Sequence, residues 1–121
     1  MNTLEKPSSK QVLATALNSV KAHLDLTSQD IATIIGSSET SVNRYFRQGE
    51  IGPSPKEQEL VLLLIRIYRS LFALNGGNLR AMKHWLNTDN RHLDAIPVEA
   101  MKSVTGIVNV VRYLDAIRGK V

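Results

Sequence analysis

A chain of 121 residues without cysteine can form one compact domain, or two small helical units that share a core. The missing thiols exclude a disulfide scaffold, a thiolate metal site and a thiol nucleophile. Hydrophobic residues make up 43% and charged residues 21%, values that exclude a disordered chain, and the net charge of +4 favours an acidic partner such as nucleic acid.

The sequence also predicts a soluble, cytoplasmic protein. The first ten residues, MNTLEKPSSK, have no apolar core and therefore do not form a signal peptide. The longest apolar run, LVLLLIRIY, is interrupted by Arg66 well before it could span a membrane. We therefore expect no contact with a membrane.

Helical spacing of apolar residues recurs along almost the whole chain, and no segment alternates with a period of two, so the predicted fold is all-α. The first predicted helix covers residues 9–24. The second follows Thr27, whose hydroxyl can cap the free amides, and ends at Gly36. The third has Ser38 as its N-cap and ends before Gly49. The apolar stripe predicted for the first helix consists of Val12, Leu13, Ala16, Leu17, Val20 and Leu24.

The second half begins with the clearest helix-start signal of the sequence. In SPKEQEL, Ser54 is the N-cap, Pro55 lies in the first turn, and Glu57 completes a capping box. This central helix continues to residue 75, before two glycines. We expect it to bury Leu60, Leu63, Leu64, Ile67 and Leu71.

Three shorter helices are predicted after the central one. The first covers residues 79–86, the segment 87–96 forms a loop, and Pro97 opens a helix of one or two turns. The last helix covers residues 105–117, and Gly119 is its C-cap. We expect the last helix to turn the following side chains toward the core: Val108, Val111, Leu114 and Ile117.

The segment 31–46, IATIIGSSETSVNRYF, has the parts of a helix-turn-helix. Ala32 is the small residue needed where the second helix crosses the first, and Gly36 allows the positive φ of the turn. Four apolar residues are spaced to hold the two helices together: Ile31, Ile35, Val42 and Tyr45. The second helix can then enter a DNA major groove, where Arg44 can recognise guanine and Asn43 adenine. The candidate DNA-binding residues are Ser38, Thr40, Ser41, Asn43, Arg44 and Arg47.

The charge of this segment leaves its role open. Residues 25–55 carry four acidic and two basic side chains, so neutralisation of DNA phosphates must come from elsewhere. Lys6, Lys10, Lys21 and the bases around Arg66 are the candidates. The alternatives are a DNA-recognising helix-turn-helix, a module that only contacts protein, and two packed helices of a bundle.

The segment LTSQDIATIIGSSETSVNRYFRQG resembles the helix-turn-helix of the Xre/Cro phage-repressor family. The family pattern begins with Leu-Thr, has alanine and glycine where Ala32 and Gly36 stand, and ends with an aromatic residue and a glycine. The family often has Gln directly after Leu-Thr to contact a phosphate. This chain has Ser28 there, and Gln29 follows it.

Residues 84–121, HWLNTDNRHLDAIPVEAMKSVTGIVNVVRYLDAIRGKV, resemble the C-terminal toxin-binding domain of the Xre/MbcA/ParS antitoxins. The matching positions are Trp85, Leu86, Asn90, Leu93, Pro97, Gly106, Val110, Leu114, Ile117 and Gly119. The family often has a proline before the asparagine, where this chain has Asp89. The two resemblances together cover about residues 10–121.

The combined resemblance implies an antitoxin, not an enzyme, and no cofactor. Such antitoxins bind a co-encoded RES-domain toxin that attacks cellular NAD, and block its active site with their C-terminal segment. They also repress their own operon through the helix-turn-helix, as homodimers within a larger toxin–antitoxin complex. Residues 1–55 are then the DNA-binding region, and 56–121 the helical dimerisation and toxin-binding domain. The alternative is a stand-alone phage-like transcriptional repressor whose C-terminal half only dimerises.

The same resemblance implies where the toxin is contacted. Arg118, Lys120 and the terminal carboxylate of Val121 can enter a pocket built for a charged dinucleotide, and Gly119 lets the chain leave the helix. Charged residues of the last helix are expected to project away from the core. Without the resemblance, these residues are the charged face and the end of an ordinary core helix. The candidate toxin-binding residues are Arg112, Asp115, Arg118, Gly119, Lys120 and Val121.

The remaining signals predict no metal or catalytic site. The three histidines, His23, His84 and His92, include no pair at the one-turn spacing that places two ligands on one helix face. Trp85 is expected in the core, where it can position a helix that faces the toxin.

Overall fold

The computed structural model describes residues 6–119, and this part of the chain contains seven α-helices and no strand. The helices are α1 Ser9–Leu24, α2 Ser28–Ile35, α3 Glu39–Gln48, α4 Pro55–Leu74, α5 Leu79–Asn87, α6 Pro97–Ala100 and α7 Val104–Ile117. The predicted all-α fold is confirmed, and the observed bounds agree closely with the predicted ones. Two of the candidate toxin-binding residues, Lys120 and Val121, lie outside the described residues.

Side chains at the helix starts accept from amides that no helix carbonyl can reach. Thr27 Oγ1 accepts from the Asp30 amide at 2.9 Å, and the Asp30 carboxylate accepts from the Thr27 amide at 3.0 Å, which makes a capping box. Ser54 Oγ accepts from the Glu57 amide at 3.3 Å. The second half of the capping box predicted there is wrong, because the Glu57 carboxylate accepts from the Tyr45 hydroxyl at 2.7 Å instead.

The central helix is α4, and α1, α2, α5 and α7 all pack against it. Because neighbours surround it, α4 buries a wider face than predicted. Val61, Ile65 and Ser70 are buried, whereas Leu60 and Leu63 are half-buried. The buried side chains form one continuous cluster to which both halves of the chain contribute. No helix within residues 6–119 combines the length and the apolarity that a membrane span requires.

Two predicted core faces are displaced. In α1, Val12 is 51% exposed, and Ala14 is buried although it was not predicted to be. The buried residues of α7 are Ile107, Val110, Val111 and Leu114. Val108 is therefore half-buried and Ile117 is 50% exposed, so both were wrongly placed in the core. The predicted and the observed faces share Val111 and Leu114. The predicted residues follow one another at a spacing of three, which drifts by about 60° per step around the helix, so the first and last of them lie off the buried stripe.

Candidate DNA-binding and toxin-binding sites

Helices α2 and α3 pack against each other as the two helices of a helix-turn-helix. All five residues predicted to hold this unit together are buried: Ile31, Ala32, Ile35, Val42 and Tyr45. Gly36 closes the turn at a φ of 74°, a left-handed conformation that costs a residue with a Cβ about 1 kcal/mol or more. The Ser37 amide donates to the Ala32 carbonyl at 2.8 Å, so the tight turn is also hydrogen-bonded.

The start of α3 uses two of the candidate DNA-binding residues for its own structure. Ser38 Oγ accepts from the Ser41 amide at 3.1 Å and donates to the Ser41 hydroxyl oxygen at 3.0 Å. This cap satisfies one of the free amides of the first turn. It thereby fixes where α3 begins and in which direction its outward side chains point.

The outward face of α3 carries the other candidates. They are all exposed: Thr40, Asn43, Arg44 and Arg47. The Nη2 atom of Arg44 lies 3.5 Å from Ser41 Oγ, and its guanidinium carbon lies 5.7 Å from the centre of the Tyr45 ring. Stacking on this buried tyrosine restricts the arginine, while most of its five N–H donors have no partner among the described residues. Such a guanidinium suits a bidentate contact with guanine.

One of the lysines considered for phosphate contact lies beside α3. Lys10 and Arg44 line the same cleft of about 280 Å³, and Glu50 lines it too. The Lys10 carbonyl accepts from the Ile51 amide at 3.2 Å, which holds the start of α1 against the chain that follows α3. Lys10 therefore adds positive charge beside the recognition helix, and Glu50 offsets part of this charge.

The end of α7 is attached to α4 by two polar contacts. Nη2 of Arg66 donates to Asp115 Oδ2 at 2.6 Å, and Nη1 of Arg118 donates to Ser70 Oγ at 3.0 Å. Ser70 is 1% exposed and is the one buried polar residue among residues 6–119. The predicted outward projection of Asp115 and Arg118 is wrong, because both side chains reach back to α4.

The remaining toxin-binding candidates that the structure describes are accessible. Arg112 is exposed on α7, and Gly119 is exposed directly after it. Gly119 has a φ of 74°, and its amide donates to the Ala116 carbonyl at 3.1 Å. The contacts of Asp115 and Arg118 thus hold the last turn of α7 in one position, and the chain leaves the helix there through a left-handed glycine.

A stack of three aromatic rings, which the sequence did not reveal, joins α5, the loop after it and α7. Tyr113 lies in the middle, with ring centroids 6.3 Å from Trp85 and 5.6 Å from His92. Asn90 Oδ1 accepts from the amides of His92 and Leu93 at 2.9 and 3.1 Å, which orders the loop. Trp85, predicted in the core, is half-buried, packs against the core and also lines a cleft of about 520 Å³ beside α5.

These features define a class of protein: a helix-turn-helix and a second helical unit built on one shared core. Comparison with family models then gives the family. Residues 3–66 match the antitoxin Xre-like helix-turn-helix domain, and residues 70–120 match the antitoxin Xre/MbcA/ParS C-terminal toxin-binding domain. The first match covers more than half of the chain, which therefore belongs to the Xre/MbcA/ParS-type antitoxins, and the predicted resemblance is confirmed. No curated protein matched the chain by sequence.

The two matched regions adjoin within α4, since one ends at residue 66 and the other begins at residue 70. A protein with these two domains is an antitoxin with a toxin partner and a DNA partner. The two matched domains thus support the predictions of a toxin partner and a DNA partner. Regulatory domains of this type favour a role other than catalysis.

Proposed function

We propose that this antitoxin neutralises a RES-domain toxin by covering its active site, and that it represses its own operon as a homodimer. The observation that carries the proposal is the order of the two matched domains on one core, with a DNA-recognition unit first and a toxin-binding unit second. Neutralisation of this kind needs no chemistry from the antitoxin, because a covered cleft excludes the substrate.

The toxin-binding half supplies a rigid support for such a cover. Arg66 and Ser70 on α4 contact Asp115 and Arg118, so the end of α7 is attached to α4 by two polar contacts. Gly119 then turns the chain away from the helix axis. We propose that residues 119–121 enter the toxin's cleft, with Arg112 contacting its rim. A support that is already rigid costs little conformational entropy on binding.

The DNA-binding half supplies a recognition helix with exposed hydrogen-bonding side chains. We propose that α3 enters the major groove, where Arg44 and Asn43 contact base edges. Arg47, Thr40 and the hydroxyl of Ser41 are placed for further groove or phosphate contacts, and Lys10 adds charge beside them. Two protomers would place their recognition helices in successive major grooves of an operator with two half-sites.

The toxin-binding proposal is tested by co-expression with the neighbouring gene, which the proposal expects to encode a RES-domain toxin, with growth and cellular NAD as readouts. Full-length antitoxin is expected to restore both. Deletion of residues 119–121 keeps the Arg118–Ser70 contact and is expected to abolish neutralisation while folding and operator binding persist. Equal protection by the two versions, or a harmless toxin gene, would contradict the proposal and favour the stand-alone repressor.

The DNA-binding proposal is tested by operator affinity at one fixed salt concentration. Arg44→Ala is expected to weaken binding roughly tenfold or more, as for loss of one bidentate base contact. Arg80→Ala is the matched control, because it removes the same charge from an exposed position on α5. If Arg44→Ala binds the operator as tightly as the control, the helix-turn-helix of this chain serves protein contacts only.

A further inference from the structure

We propose that the toxin also covers an apolar, arginine-rimmed groove between α1 and α4, and places there a segment that combines apolar and acidic side chains. This inference rests on the proposed function and extends the toxin interface beyond the C-terminal domain. The groove has a volume of about 560 Å³, and Val12 and Leu62 line it at exposures of 51% and 54%. Exposed apolar side chains that adjoin one another mark interaction surfaces more often than scattered ones do.

The groove continues along α1. A second cleft of about 400 Å³ shares Val12, Leu13 and Leu62 with the first and extends to Pro7 and Gln58. The two together form an elongated depression along the first half of α1 and residues 58–69 of α4. A depression of this shape suits an extended or helical segment of a partner protein better than a small rigid ligand.

Arginines form the rim at the other end. Arg66, Arg69 and Arg118 all line the groove, and no carboxylate is among the described residues that do. Arg66 is paired with Asp115, which stands outside the groove, whereas Arg69 is exposed and forms no ion pair with residues 6–119. Arg118 gives one N–H to Ser70, which leaves donors of the same guanidinium for a partner. Acidic side chains would meet these groups with charge-assisted hydrogen bonds.

The same charges argue against the other occupants. A second copy of the chain placed symmetrically on this face would bring like arginines together, and Asp115 pairs with Arg66 alone among them. A DNA backbone could accept from the arginines, but it offers nothing apolar for Val12 and Leu62 to cover. A protein segment with both apolar and acidic side chains satisfies both parts of the groove.

The groove is continuous with the segment that is proposed to enter the toxin. Arg118 lines the groove, and the next residue is Gly119, where the chain leaves α7. A toxin that holds residues 119–121 in its cleft therefore has its surface beside Arg118. From there the groove leads to Val12 and Leu62, two exposed apolar residues that belong to the helix-turn-helix half of the chain.

The test is the affinity of purified full-length antitoxin variants for the purified RES-domain toxin, measured by titration calorimetry. Leu62→Glu and Arg69→Glu are each expected to weaken binding at least tenfold. Ala22→Glu and Lys56→Glu are the matched controls, since the two residues are exposed on α1 and α4, outside the groove and outside the matched toxin-binding domain. Both controls are expected to change the affinity less than twofold, and thermal melts confirm that all four variants fold.

Each other outcome has a defined meaning. Wild-type affinity in both groove variants overturns the inference, although the proposed function stands if the wild type still neutralises the toxin. Conversion of a dimer to a monomer by Leu62→Glu, with toxin affinity per protomer unchanged, assigns the groove to a second copy and overturns it. Loss of operator affinity alone in Arg69→Glu assigns it to DNA. If the wild type binds no RES-domain toxin, the proposed function and this inference both fail.

Discussion

Gly106, near the start of α7, is expected to tolerate no larger residue. A Cβ built on it would overlap the carbonyl oxygen of Ala100 and lie 2.8 Å from Ser103 Oγ. Alanine raises helix propensity by about 1 kcal/mol relative to glycine. Overpacking typically costs about 1–3 kcal/mol, and the upper part of that range applies because a backbone atom cannot rotate aside. The free-energy cost of the overlap therefore exceeds the gain from helix propensity, and we expect Gly106→Ala to lower the free energy of unfolding by about 2 kcal/mol.

The loss is measured by urea unfolding and by thermal melting. About 2 kcal/mol corresponds to a fall in Tm of roughly 6–12 °C for a chain of this size. Thr105→Ala is the matched control, since Thr105 is an exposed neighbour in the same turn and should change stability by less than about 0.5 kcal/mol. A Gly106→Ala variant that is as stable as the wild type, or more stable, would refute the argument from overlap.

Three further predictions concern the helix-turn-helix half. Burial opposes ionisation of Asp30, but its bonds to the Thr27 capping box and to Lys102 prevail and lower its pKa below the ordinary value of 3.8. The wild type should therefore be more stable than Asp30→Asn above pH 3.8, and this difference should disappear as the pH falls through the folded-state pKa. Urea titrations of both proteins at several pH values measure it. Tyr45→Phe loses the bond to Glu57 and should cost about 1 kcal/mol in urea unfolding, and a neutral result would show that water replaces it. Ser38→Ala removes the cap of α3 and should also cost about 1 kcal/mol, by the same measurement.

The sequence predicts the helix ends well because capping is local. Thr27, Ser38 and Ser54 each bond to an amide three residues away, and the left-handed glycines stand at the positions that end α2 and α3. The helix-turn-helix is predictable for the same reason: its clamp residues lie within one short segment, and all of them are buried. The candidate face of α3 follows from these two facts.

The end of α7 could not be predicted in this way, because its partners are distant in the sequence. Periodicity alone placed Val111 and Leu114 correctly but chose Val108 and Ile117 over Ile107 and Val110, since apolar residues stand at all of these positions of α7. What decides between them is packing against α4, which buries Ile107, Val110 and Leu114. The contacts of Asp115 with Arg66 and of Arg118 with Ser70 are compatible with that orientation. The sequence does show a serine, Ser70, on the apolar face of the central helix, which indicates a polar contact there. It does not indicate that Arg118 makes this contact.

The two functional halves are not two folding units. The proposed division at residues 55 and 56 falls at the start of α4, yet α4 packs against α1 and α2 on one side and against α7 on another. Lys102 adds a further link, since its ammonium lies 3.3 Å from Asp30 at the start of α2. A fragment ending at residue 55 would expose the apolar faces that α1 and α2 bury against α4. Because both halves draw on the same core, a change that unfolds the toxin-binding half should abolish DNA binding as well, whereas a change in residues 119–121 should leave it intact.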